Sequence, residues 1–77
     1  MDAILKIYKR GNLSGKYAIF FRSDKAINLC IKKGIKPIND GNDTAYIIAG
    51  ENTPENIVKA ENFLSENQLY YSTFINS

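Results

Sequence analysis

The pattern of apolar and polar residues predicts β-strands in five short stretches of the chain. The first and last alternate with the two-residue period of a strand, and the second is rich in aromatic and β-branched side chains. The stretches are residues 3 to 9, 16 to 22, 35 to 39, 44 to 49 and 69 to 75. The third contains Pro37, which restricts it to a sheet edge. Between the first two, Gly11 and Gly15 supply the backbone conformations that a chain reversal needs. The sequence therefore predicts five strands, with the first two paired as an antiparallel hairpin.

Two other stretches repeat apolar residues at the spacing of an α-helix. Ser23 is a favourable N-cap for the first helix, and Gly34 provides a left-handed position at which that helix ends. Thr53 and Pro54 begin the second helix as N-cap and first helical residue, and the pattern fades near Asn67. The residues expected to be buried are Ala26, Ile27, Cys30 and Ile31 in the first helix, and Ile57, Val58, Ala60, Phe63 and Leu64 in the second.

The elements follow the order β-β-α-β-β-α-β, and from the second onward this is the ferredoxin-like order β-α-β-β-α-β. Right-handed crossovers place both helices of such a chain on one face of a single sheet. We therefore expect an α+β fold: a two-layer sandwich with a mostly antiparallel sheet of four to five strands and an added N-terminal strand. The 77 residues suffice for one domain, spanning positions 1–77.

Charge is divided unevenly between the two halves of the chain. Residues 1 to 38 contain nine of the ten basic side chains and two acids, whereas residues 39 to 77 contain six of the eight acids and one base. Such a division favours a folded surface with a positive side and a negative side. A charged partner is the interpretation that follows.

The residues that most enzymes and metal sites use are scarce. The chain contains no histidine and a single cysteine, which excludes Ser-His and Cys-His nucleophilic sites and a thiolate or imidazole zinc site. Cys30 lies on the apolar stripe of the first helix and is interpreted as a small buried hydrophobe. The acidic turn at residues 39 to 43 lacks the pattern of a calcium loop. We expect a protein without catalytic activity, metal or cofactor.

Neither a signal peptide nor a membrane span is predicted. The N-terminal apolar run is too short for a signal peptide. No stretch approaches the roughly 18 apolar residues that a spanning helix needs. A cytoplasmic protein with no membrane partner is expected.

The predicted sheet leaves one face without helices. If Leu5, Ile7, Ile19, Phe21 and Ile47 face the helices, the opposite face displays aromatic rings with basic neighbours, together with Ile48. Exposed apolar patches on small domains usually mark an interface. The residues predicted to bind a partner are Lys6, Tyr8, Arg10, Lys16, Phe20, Arg22, Tyr46, Tyr70 and Phe74.

Three classes of partner are consistent with these features. Tyr, Phe and Arg are enriched at protein interfaces, so a host or cognate protein is the first interpretation. The small size, the absence of a catalytic set and the heavy use of Ile, Asn and Lys, typical of AT-rich genomes, favour a phage- or mobile-element-encoded inhibitor of a host defence machine, of anti-CRISPR or anti-restriction type. The alternative is a nucleic-acid-binding module that uses the basic N-terminal hairpin. A third is a homodimer or larger homo-oligomer in which positive and negative sides meet.

Overall fold

The computed structural model describes residues 1–40 and 43–76, and within these all side chains except those of residues 39, 40, 43 and 44. Its elements are β1 (Ala3–Tyr8), β2 (Lys16–Phe21), α1 (Asp24–Lys32), β3 (Ile38–Asp40), β4 (Asp43–Glu51), α2 (Pro54–Glu66) and β5 (Tyr71–Asn76). The predicted order of elements and the α+β class are confirmed. The turn predicted at residues 39 to 43 is centred on positions outside the described residues.

The strands lie in the order β3-β4-β2-β1-β5. All neighbouring pairs are antiparallel except β1 and β5, which are parallel. Without β1, the order β3-β4-β2-β5 is that of a ferredoxin-like sheet, so the N-terminal strand is inserted between β2 and β5. The crossover through α2 consequently passes over two strands, and the sheet is mixed.

Both helices begin at the predicted caps. The Ser23 side chain accepts a hydrogen bond from the Ala26 backbone N–H at 3.1 Å, and the Thr53 side chain accepts one from the Asn56 N–H at 3.1 Å. Each bond satisfies a backbone donor that has no partner within its helix. Gly34 follows α1 with a φ of 77°, the left-handed conformation predicted for its end.

The core lies between the helices and one face of the sheet, which confirms a two-layer arrangement. Its buried members are Ala3, Leu5, Ile19, Phe21, Ala26, Cys30, Ala60, Leu64 and Leu69. The sheet residues among them are all odd-numbered because alternate side chains of a strand point to opposite faces. Two helical predictions are wrong: Ile31 and Val58 are 57% and 55% exposed. Each lies beside a more deeply buried neighbour, Cys30 or Ala60, that occupies the centre of the helix–sheet contact.

The last strand begins two residues later than predicted. Gln68 adopts a left-handed φ of 58°, and the Leu69 N–H donates to the Leu64 carbonyl at 2.9 Å. This turn directs the Leu69 side chain into the core, where it is 5% exposed. Leu69 therefore contributes to the core from a turn, and β5 begins at Tyr71.

Asp2 joins three separate parts of the chain. Its carboxylate accepts hydrogen bonds from the Ser23 hydroxyl at 2.6 Å and the Tyr70 N–H at 2.8 Å. Its backbone carbonyl accepts from the Arg22 N–H at 2.8 Å. These bonds hold the N-terminus against the start of α1 and the start of β5. They also lower the pKa of the Asp2 carboxyl, with the Ser23 hydroxyl as the largest cause.

Candidate partner-binding face

The pairing register determines which side chains share the face of the sheet that carries no helix. Three rows of neighbours cross β5, β1, β2 and β4: Ser72, Ile4, Phe20 and Ile47; then Phe74, Lys6, Ala18 and Ala49; then Asn76, Tyr8, Lys16 and Glu51. Directly opposed residues point to the same face. The core residues come from the other face. We call these three rows the open face.

The apolar residues of the first two rows on β1, β2 and β4 form an apolar floor: Ile4, Phe20, Ile47, Ala18 and Ala49. Phe20 is half-buried between Ile4 on β1 and Ile47 on β4, and in the next row Ala18 lies beside Ala49. Ala18 is buried although no helix covers it, because its larger neighbours shield its single methyl group. This floor is continuous across three strands, and continuous apolar area of this kind characterises binding surfaces.

Two shallow grooves meet at Phe20. One has a volume of about 350 Å³ and is lined by Ile4, Lys6, Phe20, Phe21, Arg22, Ile27, Ala45 and Tyr46. The other has a volume of about 400 Å³ and is lined by Tyr8, Leu13, Lys16, Tyr17, Ala18, Phe20, Ala49 and Gly50. Phe20 is the one residue that lines both grooves.

The charged side chains on and beside the open face are mostly positive, and they differ in whether they form an ion pair. Lys16 forms an ion pair and hydrogen bond with Glu51, its direct neighbour on β4. The ammonium group of Lys6 lies 4.9 Å from the centre of the Phe20 ring, in a cation–π contact. Among the described residues, neither Lys6 nor Arg22 forms an ion pair. Two cations thus border the apolar floor without a carboxylate partner.

Five of the nine predicted residues lie on the open face: Lys6, Tyr8, Lys16, Phe20 and Phe74. Arg22 follows β2 and borders the first groove. Arg10 is exposed in the hairpin loop at the opposite end of β2 from Arg22. The six residues of β2 separate the two ends by about 20 Å. Tyr70 is 80% exposed just before β5. The basic residues of the hairpin are therefore spread along its length.

Tyr46 was predicted on the wrong face. It pairs with Phe21, and Ile48 pairs with Ile19, so both side chains point toward the helices and pack against the core. Ile47, which was expected to face the helices, pairs with Phe20 on the open face. The three consecutive apolar residues at 46 to 48 contain no polar position that would fix the phase of the alternation.

Three apolar residues of the floor were also absent from the predicted partner-binding residues. Ile4, Ala18 and Ala49 gain their significance only from the register that places them beside Phe20 and Lys6. Leu13, 52% exposed in the hairpin loop, borders the second groove. No motif in the sequence indicates these positions, because each depends on which strand lies beside which.

Burial raises the pKa of two ionisable groups among the described residues. Cys30 is fully buried, and burial raises the pKa of its thiol, which disfavours the reactive thiolate. Burial, with a contribution from the neighbouring Glu61, raises the pKa of Tyr71. Within the described part of the chain, no group of three or more His, Cys, Asp or Glu side chains is placed to hold a metal ion. Neither described helix is long and apolar enough to cross a membrane.

Comparison with known proteins yields no relative. No family model matches the sequence, no curated protein is similar to it, and no solved structure matches its fold. Inference about function therefore depends on the geometry and charge of the open face.

Proposed function

We propose that this protein is a non-enzymatic binding module that contacts a protein partner through the open face. The observation that carries the proposal is the apolar floor around Phe20, the residue that lines both grooves. Burying such a floor in a partner removes apolar area from water, which is the main favourable term in protein association. A central aromatic side chain that fits between pockets of the partner is a common source of binding energy.

The chemistry of the partner follows from the charges that border the floor. Lys6 and Arg22 have no carboxylate partner among the described residues and lie beside the first groove. A surface that presents apolar side chains flanked by Asp or Glu would satisfy both the floor and these cations. Complementary charge of this kind contributes mainly to association rate and specificity. We therefore infer a partner with an acidic rim around an apolar patch.

The contacts of Phe20 favour a protein over a nucleic acid. Binding of single-stranded nucleic acid to a sheet uses aromatic rings whose faces are free to stack on bases. Here the Lys6 ammonium group lies over the Phe20 ring at 4.9 Å, and Lys16 is neutralised by Glu51. One ring face and one cation that a nucleic acid would use are thus already engaged within the chain.

The finer part of the proposal concerns the identity of the partner. We propose that the chain is a phage- or mobile-element-encoded inhibitor that blocks a host defence machine, such as a CRISPR or restriction effector, by occupying its surface. The support is its small size, its lack of a catalytic set and the composition of its sequence. The open face would supply the contact, and no chemical step would be required.

Affinity capture with matched variants tests this proposal. The immobilised protein is exposed to a bacterial lysate, with and without nuclease, and compared with Phe20→Ala on the open face and with the control Val58→Ala. Val58 is 55% exposed on α2, so its truncation removes apolar atoms from another surface. Retained proteins are identified by mass spectrometry. The affinity of each variant for the purified partner is then measured.

We expect a lysate protein to be retained after nuclease treatment. It should bind Val58→Ala as tightly as the wild type and Phe20→Ala about 30-fold or more weakly. Retention of nucleic acid alone would contradict the proposal and would favour the alternative, nucleic-acid binding by the basic N-terminal hairpin. Equal binding by both variants would contradict the open face as the contact. A retained protein with no role in host defence would contradict the finer part only.

A further inference from the structure

The outer edge of β5 is an unprotected strand edge. β5 lies at the end of the sheet, and five of its six residues, Ser72 to Asn76, are exposed. Proteins usually protect such edges with charged residues, proline, a bulge or a covering segment, because free backbone groups otherwise pair with another strand. β5 contains neither proline nor charge, and its sequence Tyr-Ser-Thr-Phe-Ile-Asn favours a strand.

The opposite edge of the sheet differs in this respect. β3 has only three residues and follows Pro37 directly. A short strand next to a proline offers few pairing groups. The contrast between the two edges identifies β5 as the one suited to pairing.

The backbone of β5 presents a defined set of groups to an added strand. Carbonyls of even-numbered residues face β1, since Tyr70 O accepts from Ala3 N at 3.2 Å and Asn76 O accepts from Lys9 N at 2.9 Å. In an extended strand, alternate residues direct their N–H and C=O groups to opposite sides. The N–H and C=O groups of Tyr71, Thr73 and Ile75 therefore point outward.

We infer that β5 pairs antiparallel with β5 of a second copy of this chain, with the twofold axis at Thr73. In this register Thr73 faces Thr73 of the other copy, and Tyr71 faces Ile75 in both directions. Each such pair exchanges two backbone hydrogen bonds, so every outward N–H and C=O group of both strands is satisfied. The two sheets join into one continuous sheet with the helices of both copies on the same side.

The charge of the segment selects a second copy as the occupant. Residues 67 to 77 contain no charged side chain, whereas the rest of the chain contains eighteen. Self-pairing places identical side chains near one another, and like charges directly opposite are destabilising. A neutral strand avoids that penalty. The pairing also places an aromatic residue, Tyr71, opposite β-branched Ile75, a favourable cross-strand combination.

Sedimentation equilibrium of the wild-type protein and variants at position 73 tests the inference. The Thr73 side chain is exposed, so Thr73→Lys and Thr73→Glu leave the packing of the monomer unchanged. Each places like charges opposite one another at the axis. Asn12→Lys, in the exposed hairpin loop, is a control with the same change in net charge as Thr73→Lys. Circular dichroism checks that each variant is folded.

We expect the wild type and Asn12→Lys to dimerise at concentrations up to about 1 mM, a range that suits a small interface. Each charged variant alone should dimerise at least about 10-fold more weakly, and an equimolar mixture of the two should recover the dimer. A wild type that remains monomeric at about 1 mM would overturn the inference, as would a dimer that Thr73→Lys does not weaken. Failure of the mixture to recover the dimer would overturn the Thr73-centred register.

Discussion

Phe20 and Phe21 are adjacent in sequence, identical in chemistry and opposite in location. Phe21 is 5% exposed, and its ring meets that of Phe63 edge-on with centroids 6.2 Å apart. Phe20 lies half-buried on the open face. Truncating each to alanine removes the same atoms, so the comparison isolates the environment of the ring. We predict that Phe21→Ala destabilises the fold far more than Phe20→Ala.

The magnitudes follow from burial. Phe21→Ala loses the transfer free energy of a fully buried ring and leaves a cavity in the core, which together cost about 3–5 kcal/mol. Phe20→Ala loses roughly half of the transfer free energy of a buried ring and one cation–π contact. It leaves no closed cavity because the open face is in contact with water. Its cost is therefore about 1–2 kcal/mol. The difference between the two variants should be about 2 kcal/mol or more.

Urea denaturation followed by circular dichroism measures both values, with an unchanged m-value showing that the denatured state is comparable. Domains of this size have a free energy of unfolding of about 4–12 kcal/mol, so the cost of Phe21→Ala is a large part of the total stability. Phe21→Leu, which removes fewer buried atoms and therefore costs less than Phe21→Ala, provides a folded reference. Equal costs for the two alanine variants, or a larger cost for Phe20→Ala, would refute the assignment of the two faces.

Three further predictions concern local contacts. The Ser23 hydroxyl and the Tyr70 N–H lower the pKa of Asp2 from its ordinary value of 3.8, so the contribution of Asp2 to stability is fully present above pH 3.8 and is lost as the pH falls through the lower folded pKa. Asp2→Asn should remove this part of the pH dependence in acid denaturation, and an acid denaturation curve identical to that of the wild type would contradict the prediction. Thr53→Ala removes the N-cap of α2 and should lower the free energy of unfolding by about 1 kcal/mol, whereas Thr53→Ser, which keeps the capping hydroxyl, should change it by less than about 0.5 kcal/mol. Buried Cys30 should react with a thiol reagent only as fast as the protein opens, so its labelling rate should rise with urea; immediate labelling of the native protein would contradict its burial.

The elements of this fold are encoded locally, and this is why the sequence predicts them well. Ser23 and Thr53 cap the two helices through contacts three residues away, and Gly34 ends α1 through its own backbone conformation. Features of this kind depend on neighbours in the chain. The turn at Gln68 and Leu69 was missed because Gln gives no signal for a left-handed conformation.

The candidate site is encoded less completely because it depends on pairing between distant strands. The placement of β1 between β2 and β5 sets three residues side by side that are far apart in sequence: Lys6, Ala18 and Phe74. In β1, the polar residue Lys6 indicates that its neighbours Leu5 and Ile7 face the helices. In β4, the apolar run at residues 46 to 48 does not indicate which residues face the helices. Tyr46 was therefore predicted on the open face and Ile47 on the helix side, and the structure shows the reverse.

Hydroxyl-radical footprinting of the free protein and of its complex with the captured partner tests the central claim most directly. The account predicts that oxidation of Tyr8, Phe20 and Phe74 on the open face falls in the complex, while oxidation of Val58 on the outer surface of α2 stays at its free value. Protection of Val58 with no change at Phe20 and Phe74 would contradict the account and would place the contact on the acidic second helix.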